Sequence, residues 1–232
     1  MTISAAMLLD IWEAGAAQPP LARALALLAP LFPETAVAEL PVGARDALLL
    51  LVREWLFGVQ MECVAMCPAC AIRLEFSLAT TALRALAPTT AVQSLDVGGQ
   101  QLTVRLPASA DLLALPSDPA ATRYLIERCL IDAPAVLSDE ALAAAATAMA
   151  AADPLLDLRI ELACPDCGHT WAAPFDIAGF VWQELDWWAR RLLRDVHTLA
   201  RAYGWHEREI LALSPQRRAL YLQMVNDERS TG

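Results

Sequence analysis

Two Cys-Pro-x-Cys units constrain this chain more than any other feature: Cys67-Pro-Ala-Cys70 and Cys164-Pro-Asp-Cys167. Each lies between two stretches that alternate apolar and polar residues, 59–66 and 71–78 for the first and 156–162 and 170–175 for the second. Alternation of this kind is the signature of a half-buried strand. The pattern is therefore strand, knuckle, strand, twice over. Two such hairpins, each supplying two thiolates, make the halves of a zinc ribbon, and residues 71–163 become a long insertion within it. A structural zinc ion takes four ligands in a tetrahedron. Cys67, Cys70, Cys164 and Cys167 fill it, one Zn2+ per chain, with no position left open for a catalytic water. Four ordinary buried thiols or a redox pair are the competing readings, and four-cysteine spacing suits iron as well as zinc.

The compartment matters to that choice. The opening MTISAAMLLDIWEAG has no basic segment and is interrupted by Asp10 and Glu13, so a secretory leader is not expected. A reducing, cytoplasmic setting is expected, where paired Cys-x-x-Cys units favour metal over disulfides. Mean hydropathy is +0.40, but the longest strongly apolar stretch is 47–52. A membrane span needs ~20 such residues, so no membrane partner is expected.

The rest of the chain reads as helix. Helical periodicity covers 3–16, 21–31 and 44–57 before the first knuckle. Between the knuckles come a short helix at 80–87, a hairpin of 91–97 and 101–106 around Gly98-Gly99, helical pieces at 108–114 and 118–131, and an alanine-rich helix capped by Ser138. From 176 a stripe of Ile177, Val181, Leu185, Trp188, Leu192, Val196, Leu199 and Tyr203 marks a long amphipathic helix, ended by Gly204. A short helix at 207–213, a last one opened by Ser214-Pro215, and a frayed tail from 227 complete the prediction. The expected fold is α+β, mainly α: a helical bundle with an inserted four-cysteine zinc ribbon and a small β-hairpin insertion. Its parts are an N-terminal helical segment (1–58), ribbon halves (59–78 and 154–175), the insert (79–153) and a C-terminal helical segment (176–232).

Other candidates are fewer. Cys63 and Cys129 read as small buried hydrophobes, His169 as a surface neighbour of the knuckle or else a ligand in place of one cysteine, His197 as a helix-surface residue and His206 as lying near a helix start. No nucleophile–base set and no glycine-rich phosphate loop occur, so neither enzyme activity nor a small-molecule substrate is expected. On the long helix, Trp182 and Trp187 lie off the core stripe and Arg190, Arg191 and Arg194 follow. They are either a second buried face or, because Trp and Arg dominate binding hot spots, a protein-binding surface. All seventeen basic residues are arginine, against 27 acids, for a net charge of −10. A nucleic-acid-binding zinc ribbon is the alternative function. The ribbon has only Arg73 and Arg159, against Glu62, Glu75, Asp157, Glu161 and Asp166, so no nucleic-acid partner is expected.

The run FDIAGFVWQELDWWARRLLRDVHTLARAYGWHEREILALSPQRRALYLQMV, residues 175–225, resembles the T-even-type baseplate hub assembly chaperone family. Its relatives are encoded beside contractile phage tails and phage-tail-like contractile injection systems. The specific part is a long helix, Tyr203-Gly204-Trp205, then Glu209-Ile210-Leu211, Leu213-Ser214, Arg217-Arg218 and Tyr221-Leu222. The N-terminal MLLDIWEAG and the paired knuckles resemble versions from injection-system clusters. The resemblance implies a non-enzymatic protein that binds baseplate, hub or spike components, in the bacterial cytoplasm or within an assembled particle. The small phage members lack much of the ribbon, which leaves both a transient chaperone and a permanent baseplate component open.

Overall fold

A computed structural model describes residues 3–116, 120–132 and 137–230, with the side chains of 229 and 230 outside the description. The fold is α+β and mainly α, 53% helical, with small antiparallel sheets. No helix among the described residues is long and apolar enough to cross a membrane. The chain divides into two compact units: residues up to Pro30 with those from Phe180 on, and Leu31–Gly179.

The Leu31–Gly179 unit carries both knuckles. It opens with α3 (Val42–Phe57), which follows α1 (Ala5–Ala16) and α2 (Pro20–Leu28) of the other unit. The sequence groups α3 with the N-terminal helices; in the structure it belongs with the ribbon. The reason is polar as well as apolar. Glu54 of α3 accepts from Thr80 Oγ1 at 2.7 Å and pairs with Arg84 at 2.9 Å. That fastens the helix to α4 (Thr80–Arg84), which continues directly from β2 (Arg73–Ala79). At its other end, the Gly43 N–H donates to the buried Asp153 carboxylate at 2.8 Å. A Cβ at Gly43 would run into that carboxylate, so glycine is required by close approach. Asp153 ends α7 (Asp139–Ala152), just ahead of β6 (Arg159–Ala163). Both ribbon halves are thus tied to α3.

The ribbon strands pair as predicted. β1 (Gln60–Met66) runs antiparallel to β2, with Gln60 opposite Ala79 and Met66 opposite Arg73. β6 runs antiparallel to β7 (Thr170–Pro174), with Arg159 opposite Pro174 and Ala163 opposite Thr170.

The insertion is more than a hairpin. β3 (Val92–Val97) and β4 (Gln100–Arg105) form the predicted pair, and β5 (Leu130–Asp132) adds a third strand beside β4. The predicted helix at 118–131 corresponds to α6 (Ala121–Cys129), which stops where β5 begins; the position 118 lies outside the described residues. Leu130 continues an apolar helical pattern, and only its pairing with Val104 turns it extended. Leu102, Val104, Leu106, Ile126, Cys129, Leu142, Ala145 and Met149 form the buried core between this sheet and the helices α6 and α7. Beside it, the buried Asp111 of α5 (Ser109–Leu113) accepts from Arg105 and Arg128. Bonding to Arg105 leads the interactions that hold its carboxyl down at about 2.

The other unit joins α1 and α2 to α8 (Ile177–Tyr203), α9 (Glu207–Ala212) and α10 (Pro215–Ser230), apart from the first turn of α8. α10 continues through the residues from 227 to 230 that the sequence reads as a frayed tail; 231 and 232 lie outside the described residues. The predicted stripe of α8 is its core face: Ala189, Leu192, Val196 and Leu199 bury against Leu9, Ile210 and Val225. Tyr203, Trp205 and Tyr221 close one end, with ring centroids 4.7–5.7 Å apart. Aromatic contacts of this kind are worth about 1 kcal/mol each beyond the area they bury.

Candidate metal centre

Each knuckle is a tight turn made by the backbone. In the first, the Cys67 N–H donates to the Ile72 carbonyl at 2.9 Å and the Ala71 N–H to the Cys67 carbonyl at 2.8 Å. In the second, the Cys164 N–H donates to the His169 carbonyl at 2.8 Å and the Gly168 N–H to the Cys164 carbonyl at 3.0 Å. The two rings are the same, position for position. Both need a left-handed residue after the second cysteine, Ala71 at φ +60° and Gly168 at φ +72°.

The turns bring all four predicted cysteines together. Cys67 Sγ lies 3.7 Å from Cys167 Sγ, and Cys70 Sγ 3.6 Å from Cys164 Sγ. All four sulfurs lie within 4.8 Å of one another. These are contact distances, and all four are free thiols. A metal–sulfur distance of ~2.3 Å in a regular tetrahedron sets sulfur–sulfur edges of about 3.8 Å. The two facing-pair separations fit that figure, so Cys67, Cys70, Cys164 and Cys167 form a group that could hold one metal ion. Cys67 and Cys164 are buried, whereas Cys70 and Cys167 face solvent.

The electrostatics point the same way. Burial pushes the Cys67 thiol up, but the N–H groups of Cys70 and Ala69, with the Cys70 and Cys167 thiols, bring it down to about 7. The Ile72 N–H favours the Cys70 thiolate, yet burial and the three neighbouring thiols push that group up to about 12. Cys167 is raised despite the His169 N–H and the Cys70 thiol, by burial and by the Cys164 and Cys67 thiols. Cys67 ionises readily, whereas Cys70 and Cys167 resist losing their protons beside it. A bound cation removes that resistance, because the thiolates must be deprotonated to ligate.

The other cysteines and the histidines fall where the sequence puts them. Cys63 and Cys129 are buried. His169 is exposed and stacks on Trp171, with ring centroids 5.9 Å apart. His197 is exposed on α8, and His206 is the N-cap of α9.

The candidate partner surface divides. Trp182 does not belong to it: it is buried at 9% exposure, in contact range of Gly15, with Arg23 stacked 5.4 Å from its ring. This is the second buried face rather than a docking surface. Gly15 of α1 has no side chain there, which makes the room for the indole. Trp187 is 60% exposed, with the Arg191 guanidinium 5.5 Å over its ring. Arg190 is held by Asp186 at 2.8 Å, and Arg194 is exposed. The residue missing from the sequence reading is Arg218 of α10, buried among the residues that surround Trp187 and Arg191. Its signal is positional: Arg218 lies four and seven residues before Leu222 and Val225, a charge on an apolar helical line.

No family model, no curated protein and no solved structure matches this chain.

Proposed function

We propose that this chain is a non-enzymatic structural or assembly protein for the baseplate or hub of a contractile, phage-tail-like injection system, and that Cys67, Cys70, Cys164 and Cys167 hold a structural zinc ion. The observation that carries the structural role is the closed set of four sulfurs, 3.6 and 3.7 Å apart in facing pairs. Four thiolates complete zinc's tetrahedron, so the ion clamps two distant parts of the chain and leaves no place for a reacting water. The injection-system setting is supported by the resemblance of residues 175–225 and of the paired knuckles. In this reading the cysteine cluster fixes the ribbon, and the exposed side of α8 around Trp187 and Arg191 meets a hub or spike protein.

Both arginines beside the knuckles are engaged by acids, Arg73 with Glu75 at 3.0 Å and Arg159 with Asp157 at 3.1 Å. That leaves little free positive charge for a phosphate backbone. The test is co-expression with hub and spike components, followed by purification of this chain and metal analysis. Co-purification with one of them and one zinc per chain is the expected result. Failure to associate with any of them overturns the assembly role. Salt-dependent micromolar binding of DNA or RNA would replace it with a nucleic-acid function.

A further inference from the structure

The unit built from α1, α2 and the helices after Phe180 holds a buried guanidinium whose hydrogen bonds are incomplete among the described residues. Arg218 is 8% exposed, and its Nη1 is buried with no hydrogen-bond partner among the described residues. A buried guanidinium N–H left unpaired costs more than an ordinary lost hydrogen bond, since a charged group has been stripped of water. Burial accordingly lowers the Arg218 pKa, with Asp195 opposing the shift through space.

Arg218 lines a cavity of about 250 Å3 between α8 and α10. Trp187, Trp188, Leu192 and Leu222 give it apolar walls, and Arg191 and Asp195 are its other charged groups. Two arginines against one aspartate leave the cavity with an excess of positive charge. The Asp195 carboxyl is itself raised by burial, against the pull of Arg218, Arg191 and Arg194. The surrounding sequence has the same bias. Residues 177–232 carry eight of the seventeen arginines but only seven of the 27 acids, so an otherwise acidic chain is slightly basic here.

We infer that this cavity is a binding site for an acidic peptide segment of a partner protein, in which one Asp or Glu carboxylate accepts from Arg218 and a neighbouring apolar side chain lies against Trp187. A carboxylate supplies the acceptors that Nη1 lacks, and charge-assisted bonds of this kind are among the stronger ones. Trp187, exposed and already under Arg191, offers a flat apolar face beside it, the pairing found at interface hot spots. This inference rests on the reading that the exposed side of α8 meets a protein partner, and it names the chemistry of what that partner presents.

The test uses the full-length protein and three short peptides: acetyl-Leu-Glu-Leu-amide, its Gln counterpart, and acetyl-Leu-Leu with a free carboxyl terminus. Binding is followed by calorimetry and by the tryptophan emission that Trp187→Phe removes. The expected result is that the Glu peptide binds at least about tenfold more tightly than the Gln peptide, the scale of a charge-assisted bond. Arg218→Met, which keeps the apolar stem, abolishes that preference while leaving the far-UV spectrum unchanged. Arg191→Met serves as a second variant, reducing the preference without touching a buried side chain. Equal affinity for the Glu and Gln peptides overturns the inference, as does absence of binding at millimolar peptide. Tighter binding of the free-terminus peptide than of the Glu peptide overturns it too, by moving recognition to a chain end. No baseplate component takes part, so this experiment and the co-expression experiment fail separately.

Discussion

The two knuckles share one hydrogen-bond ring but are supported differently. The first stands on a hairpin of seven paired residues, β1 and β2, with Met61 and Cys63 buried along β1. The second stands on five pairs, β6 and β7, whose positions outside the knuckle are half-buried or exposed. The first therefore reaches its geometry with a hydrophobic anchor and tolerates alanine in the left-handed position. The second has its buried residues before the strand, at Leu155 and Leu158, rather than along it, and uses glycine in the left-handed position, at φ +72°. The four-cysteine cluster sets the geometry, and each hairpin meets it with the means its own surroundings supply.

The largest effect should ignore this difference. Cys67→Ser and Cys164→Ser each remove one of the four proposed ligands, so both should abolish stoichiometric metal content and lower stability by about 4 kcal/mol or more. Mass spectrometry and thermal melting would show it. Unequal losses would mean that one knuckle binds metal without the other. Next, Met61→Ala should cost about 3 kcal/mol in a denaturant titration, because Met61 is fully buried. Leu162→Ala on β6, at a half-buried position, should cost about half of that. Equal costs would erase the contrast in anchoring.

Chelation sharpens the comparison without a substitution. Once metal is removed, the amides of β6 and β7 should exchange with solvent before those of β1 and β2, since local opening follows from sparse burial. Simultaneous exchange would show that the clamp is the only support of both. The smallest effects concern the turns. Nothing lies within 4 Å of a Cβ placed on Gly168, so Gly168→Ala tests backbone conformation alone and should destabilise by about 1 kcal/mol. Ala71→Gly should do the reverse, stabilising by at most about 1 kcal/mol, since relief of the left-handed strain is partly offset by glycine's greater chain entropy. Denaturant midpoints at constant slope would measure both.

The cluster was legible because its signal is local. Cys-x-x-Cys places two sulfurs on one turn whatever the rest of the chain does, and alternating flanks such as Ile72, Leu74 and Phe76 announce the strands. The stripe of α8 was legible for the same reason. β5 was not, because Leu130 and Ile131 extend an apolar pattern and become a strand only where β4 offers an unpaired edge. Helical phase alone leaves Trp182 between a buried face and a binding surface; the glycine that makes room for its ring lies in α1.

By itself, the sequence determined the four candidate cysteines, both strand–knuckle–strand hairpins and the long amphipathic helix, since each is encoded within a window of a few turns. Only the tertiary structure decided which half of α3 holds which part of the ribbon, that Trp182 lies inside while Trp187 lies outside, and that Arg218 is buried with no hydrogen bond at Nη1 among the described residues. Burial and pairing depend on what arrives from elsewhere in the chain. Periodicity can say that a residue leaves the stripe of its own helix, but not what meets it there.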